Sequence, residues 1–330
     1  MLALFRNNRT TTAVVLLLYV IFTRLPALPG YVHPDLKEVA PGGMLWQTLF
    51  GWLEGDGKQL WSVSIAVLLV FIQTVWINHL ANANRITDNR TWYPGVVYVL
   101  LTAFLPEFLY TSPTLVAVTF IPIALHYIFK SYKLPEVRYS VLDAALWITT
   151  GSLFYPPMFS LLLAGFIGLL IVRSFKTKER FVYVTGVFIP FFLAWLGHYW
   201  INKGTIFWHT QVQAFTGWYH FSPNWQGNTF VALTLIGSLM LMAIAGYSYF
   251  TERKLIQIRS YVQVLYVFLV IAGISVLLQG NFYNTYLLLF MPPAAILLSM
   301  AMLNVRRTSF LEIAHIILLV IAFSTQVYTG

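Results

Sequence analysis

Asp35 and Glu38 stand three residues apart, the spacing that puts two carboxylates on one face of a helical turn. His33 precedes them across Pro34, which biases the histidine towards an extended backbone. Such a set could supply a general base or, with His33, ligands for a hard divalent cation. The plain alternative is a set of solvated loop charges with Lys37 as local partner. The same stretch, 24–58, also holds Glu54 and Asp56, so it carries four of the eleven acids in the chain. Between the two acidic pairs runs Met44-Leu-Trp-Gln-Thr-Leu-Phe-Gly-Trp-Leu-Glu54. Leu45, Leu49, Trp52 and Leu53 fall on one side of it, as in a helix lying in a membrane interface.

Two further groups could join that chemistry. Arg24 ends an apolar run, where it either snorkels to the interface or binds a phosphate or carboxylate. Glu107, in Phe104-Leu-Pro-Glu-Phe108, stands at the edge of another apolar run, where an acid is costly unless paired or facing a polar cavity. Arg24 is its expected partner. A second polar stretch, Lys203 to Trp225, interleaves Trp208, Trp218, Tyr219 and Trp225 with Gln211, Gln213, Asn224, His209 and His220. That composition suits sugar rings stacked on aromatics with amide hydrogen bonds, and equally an aromatic belt at headgroup level.

The elements that must position these residues are membrane helices. Of 330 residues, 58% are hydrophobic and only 9% are charged, with a mean hydropathy of +0.72, against roughly 25% charged in soluble domains. The absence of cysteine excludes disulfides, thiol catalysis and thiolate metal sites. There is no P-loop, GxSxG, HExxH or dinucleotide fingerprint. The net charge of +9 is dispersed over many short loops rather than gathered in a nucleic-acid patch, so no nucleic-acid partner is expected.

Apolar runs predict about eleven transmembrane helices in one domain, 1–330: 11–28, 60–80, 91–109, 113–130, 139–154, 156–173, 181–201, 229–250, 261–279, 282–303 and 309–327. The fifth and sixth divide one stretch that as a single helix would measure roughly 52 Å, against a hydrocarbon core of about 30 Å. Phe154-Tyr-Pro-Pro157 is the expected break. With the N-terminus in the cytoplasm, the inner segments hold Arg6, Arg9, Arg85, Arg90, Lys130, Lys133, Arg138, Arg173, Lys176, Lys178, Arg180, Arg253, Lys254, Arg259, Arg306 and Arg307. Only Arg24, Lys37, Lys58 and Lys203 lie outside. This separation predicts an inner N-terminus, an outer C-terminus and two long outer loops, 24–59 and 201–228, with amphipathic interfacial helices. Gln73, Asn78, His79, His126, His198 and His315 are isolated polar residues in the spans, expected to bond between helices or to sit near helix ends.

Late in the chain, Tyr286-Leu-Leu-Leu-Phe-Met-Pro-Pro-Ala294 follows Gly280-Asn-Phe-Tyr283. Together with an early acid in the first outer loop, an interfacial helix and many spans, this order resembles the GT-C superfamily of glycosyltransferases that use polyprenyl-phosphate sugars. The stretch from about 85 to 201 also resembles uncharacterised polytopic inner-membrane proteins of bacteria. The GT-C resemblance implies Asp35 as catalytic base or metal ligand, with Glu38 or Glu107 as helper. It implies a lipid-phosphate clamp drawn from Arg24, Lys203, His209, Asn281 and Tyr283, with His33 and Trp208 completing the substrate-binding set. It fixes no cofactor, a divalent cation entering only if Asp35 is a ligand rather than the base; a lipid-linked sugar is the implied partner and the bacterial inner membrane the implied location. No paired Asp-Glu follows the first span here; His33-Pro34-Asp35 takes that place. Two rival readings are a non-catalytic membrane subunit of a cell-envelope complex and a carrier or flippase for a lipid-linked substrate. A transferase predicts that Asp35, Arg24 and Glu107 converge on a cavity open to the outer leaflet.

Overall fold

A computed structural model of the chain describes residues 5, 10–28, 39–53, 57–87, 90–132, 137–174, 176–212, 237, 254–278, 283–303 and 308–328. The described residues form helices, turns and links, with no strand among them. In chain order the helices are α1 (Thr10–Thr23), α2 (Met44–Leu49), α3 (Gln59–Ala83), α4 (Tyr93–Leu101), α5 (Pro113–Val118), α6 (Phe120–Lys130) and α7 (Arg138–Phe154). Then follow α8 (Leu161–Val172), α9 (Thr177–Trp200), α10 (Gly204–Phe207), α11 (Ile256–Leu277), α12 (Met291–Leu303) and α13 (Thr308–Tyr328).

Among the described residues, five helical stretches are long and apolar enough to cross a membrane: Gln59–Ala83, Pro113–Lys130, Thr177–Trp200, Ile256–Val276 and Asn284–Leu303. Shorter apolar helices cover Thr12–Thr23, Pro156–Val172 and Leu311–Gln326. The chain is thus of the all-α membrane class. The expected span at 229–250 lies, but for residue 237, outside the described residues. The expected span at 91–109 is instead a nine-residue helix, α4, followed by turns and a 3-10 turn at Pro106–Phe108. Pro106 ends regular helix there, because it has no N–H to give and biases Leu105 to the extended conformation observed.

Every residue of α4 is buried, as are the first ten of α12, and the two helices pack on each other at the centre. A helix apolar on all sides belongs in such a core. Around them, α7 packs on α6 and α9, and α8 on α11. The peripheral helices are apolar on their outward faces. In α9, Phe181, Val184, Phe188, Phe192 and Leu193 are exposed, the face a helix turns to lipid. In α13, Ile313, Ile316, Ile317 and Val320 point outward while Leu311, His315, Ala322 and Gln326 are buried. Polar groups in such a helix face the bundle, where they find partners. His315 meets the Tyr19 hydroxyl at 3.2 Å.

The long apolar stretch 139–173 is divided at its prolines. Helix α7 ends at Phe154, Tyr155 is extended, and a 3-10 turn at Pro156–Ser160 leads into α8. The segment expected as an eleven-residue interfacial helix is shorter than that: α2 has six residues and gives way at Phe50 to a 3-10 turn, Gly51–Leu53. Its buried side is Met44 and Trp46, with Leu53, while Leu49 and Trp52 are exposed. Trp46 stacks on Phe50, and Phe50 leans on Phe154, so the segment is held by the bundle as well as by its apolar face.

Candidate functional site

Segments 40–44 and 208–212, parts of the two long polar stretches, meet at the C-terminal end of α7. The Gly43 N–H donates to the Phe154 carbonyl at 2.7 Å, and a Cβ at Gly43 would collide with the Leu153 carbonyl. Gln211, in the π-helical turn Trp208–Val212, accepts from the Met44 N–H at 3.3 Å and donates to the Ser152 carbonyl at 2.6 Å. The Ala40 N–H donates to Thr285 Oγ1 at 3.0 Å. Residues 40–44, 152–154, 211 and 285 therefore form one knot at this end of the bundle. Beside it, the Tyr155 and Tyr286 rings lie 5.6 Å apart, and Tyr283 meets Tyr286 edge-on at 5.3 Å.

Arg24 lies at the same end and is fully buried. It follows the last residue of α1 and opens a 3-10 turn, Leu25–Ala27, whose Ala27 packs with Leu109, Tyr110 and Val63. Its Nη2 donates to the Thr102 carbonyl at 3.5 Å and to Thr102 Oγ1 at 3.4 Å. Nε and Nη1 are buried and have no hydrogen-bond partner among the described residues. A desolvated cation with two donors unmet is costly, and an anion is the group that would relieve it. Its surroundings are fixed by buried polar contacts. The Tyr98 hydroxyl donates to Gln73 Oε1 at 2.5 Å, and Gln73 Nε2 donates to the Leu115 carbonyl and Thr119 Oγ1 at 2.8 and 2.7 Å. Gln326 Nε2 donates to the Ala103 carbonyl at 2.6 Å and to the Thr23 carbonyl at 3.3 Å, tying α13 to the residues on either side of the Arg24–Thr102 contact.

The expected Arg24–Glu107 pair is not formed. Glu107 is buried in the 3-10 turn Pro106–Phe108, which packs against the turn Asn284–Phe290, whereas Arg24 is directed to the C-terminal end of α4. Lys203 is exposed, and no described contact joins it to Arg24. Trp208 and His209 do come together, with Trp195, Tyr199, Asn202 and Thr205, around a groove of about 450 Å³. Trp195 and Tyr199 stack there at 5.6 Å. Tyr283 is half-buried at the knot. His33, Asp35, Glu38 and Asn281 lie outside the described residues. Among the described residues, no cluster of three or more His, Asp or Glu could hold a metal ion. Neither groove characterised in the structure is lined by Arg24 or Glu107.

Gln73 bonds between helices as its place in a span leads one to expect, whereas Thr102 and Gln326 are positioning groups that inspection of acids and cations overlooks. One signal was available: Tyr98 and Thr102 are four apart, so they share a face of the helix that ends at Thr102.

No family model, curated protein or solved structure matches the chain. Fold and site therefore define a class, the helical integral membrane protein with polar loops knotted together at one end.

Proposed function

We propose that the chain is a GT-C-like glycosyltransferase of eleven spans, with the N-terminus in the cytoplasm and the knotted end at the outer face of a bacterial inner membrane. The observation that carries this reading is Arg24, a fully buried guanidinium whose Nε and Nη1 meet no partner among the described residues. A polyprenyl phosphate presents the anion such a group needs, at the depth where a span ends. Asp35, in the loop that leaves Arg24, would take the proton of the acceptor hydroxyl, or hold a divalent cation. The hydroxyl oxygen then bonds to the anomeric carbon, the bond from that carbon to the phosphate oxygen breaks, and the electron pair leaves with the polyprenyl phosphate. Arg24 would stabilise the charge that develops on that leaving group. The aromatic groove at Trp195, Tyr199, Trp208 and His209 offers stacking surface for a sugar.

Profiling lipid-linked sugars and surface glycans by mass spectrometry, in cells carrying a deletion, Asp35→Asn or Arg24→Gln, tests this. Both variants should insert normally and reproduce the glycan defect of the deletion. Full complementation by both would overturn the transferase reading and direct attention to an envelope partner bound by the outer loops.

A further inference from the structure

At the opposite end of the bundle, a groove of about 440 Å³ opens between the link after α3 and the start of α11. Arg85, Arg90 and Lys254 line it, with Leu255 and Ile258 as its apolar wall. No acid occurs among the described lining residues; Asp88 and Glu252, close in sequence, lie outside the described residues. The groove rests on no residue used by the transferase reading, and stands or falls apart from it.

Its cations are held in place from beneath. Asn82 Nδ2 donates to the Thr91 carbonyl at 3.0 Å, and the Thr91 N–H donates back to Asn82 Oδ1 at 3.1 Å, closing the link into a loop. The Ile86 N–H donates to the Ala81 carbonyl at 3.0 Å and Ile86 is buried, so the loop is pinned on its inner side. Arg85 takes a left-handed backbone, φ 50°, which turns the chain there. Arg85 and Arg90 are both exposed above this fixed base. Next to them, Leu255 and Ile256 are 69% and 73% exposed at the end of a membrane-length helix. Paired arginines beside bare aliphatic side chains, where a membrane-length helix begins, suit an anionic head with hydrocarbon attached, and a phospholipid phosphate is the membrane's own molecule of that kind.

We infer that this groove is a binding site for the phosphate headgroup of an anionic phospholipid, with Arg85 and Arg90 on the phosphate and Leu255 against the start of the acyl chains.

Native mass spectrometry of the full-length protein in detergent tests this with dioctanoyl phosphatidylglycerol, dioctanoyl phosphatidylcholine and inorganic phosphate as probes. Phosphatidylglycerol should bind more tightly than phosphatidylcholine. The double variant R85N/R90Q should weaken it about thirtyfold, the loss of two surface cations. Asn tolerates the left-handed backbone, so the melting temperature should not move. R85K/R90K should keep most of the binding. K178Q/R180Q, an equal loss of charge at the start of α9, should leave it unchanged. Equal weakening by K178Q/R180Q would mean diffuse charge and overturn the site. So would equal binding of the two lipids, or no effect of R85N/R90Q. Displacement by inorganic phosphate at the concentration at which the lipid itself binds would overturn the lipid as source and leave a free-phosphate site.

Discussion

Arg24 is a buried cation with two donors open among the described residues, a state tolerated only if something else compensates. If that compensation is a bound anion, the empty protein is strained at this point. Arg24→Met should then stabilise purified, delipidated protein by about 1–3 kcal/mol while abolishing function. Denaturation in detergent measures it, and a clear loss of stability would show that the guanidinium is already satisfied at rest. Gln73 is the converse case, a buried amide whose described bonds are all made. Gln73→Leu should cost about 1–2 kcal/mol, since it removes three interhelical contacts and strands the Tyr98 hydroxyl. Tyr98→Phe in the Gln73→Leu background should add less than it costs alone, because both remove the same bond. Strict additivity in that cycle would mean the two side chains do not communicate.

Among the elements, the segment before α2 depends on close backbone approach. At Gly43 the segment before α2 lies against α7 so tightly that any side chain meets a carbonyl, a neighbour that cannot move aside. Gly43→Ala should therefore lift 40–44 from the corner, at a cost of about 1–3 kcal/mol, and raise protease cleavage within 40–58. Unchanged cleavage would show that Gln211 and Thr285 suffice to hold the loop. The start of α9 shows the same economy by another device. Glu179 accepts from the Lys176 N–H at 3.1 Å and pairs with Arg173 at 3.0 Å, so one acid caps the helix and neutralises an adjacent cation.

For the molecule as a whole, orientation is the property on which every functional reading turns. The chain has no cysteine, so single introduced cysteines report their side without background. Trp52→Cys and Lys203→Cys should react with an impermeant maleimide in intact cells, and Lys178→Cys and Arg90→Cys only after the membrane is opened. Labelling of Lys178→Cys from outside would invert the topology and remove the outer-face site. The same test separates the two ends, Arg24 with its knot at one and the Arg85–Arg90 groove at the other.

Sequence alone determined the class of this protein. Low charge and long apolar runs admit only membrane helices, since a backbone in hydrocarbon must bond to itself. It also located the break at Pro156 and Pro157, because proline lacks the donor a helix needs. The partners of the buried polar groups were decided only by the tertiary structure. Arg24 meets Thr102 from 78 residues away, Ala40 meets Thr285 from 245, and Gln326 meets Thr23 from 303. Apolar periodicity says which face of a helix turns inward but not which helix it meets, so a pair such as Arg24 and Glu107 looks as plausible in sequence as Arg24 and Thr102. Packing chose between them by directing Arg24 to the end of α4 and seating Glu107 in the turn beside Asn284–Phe290.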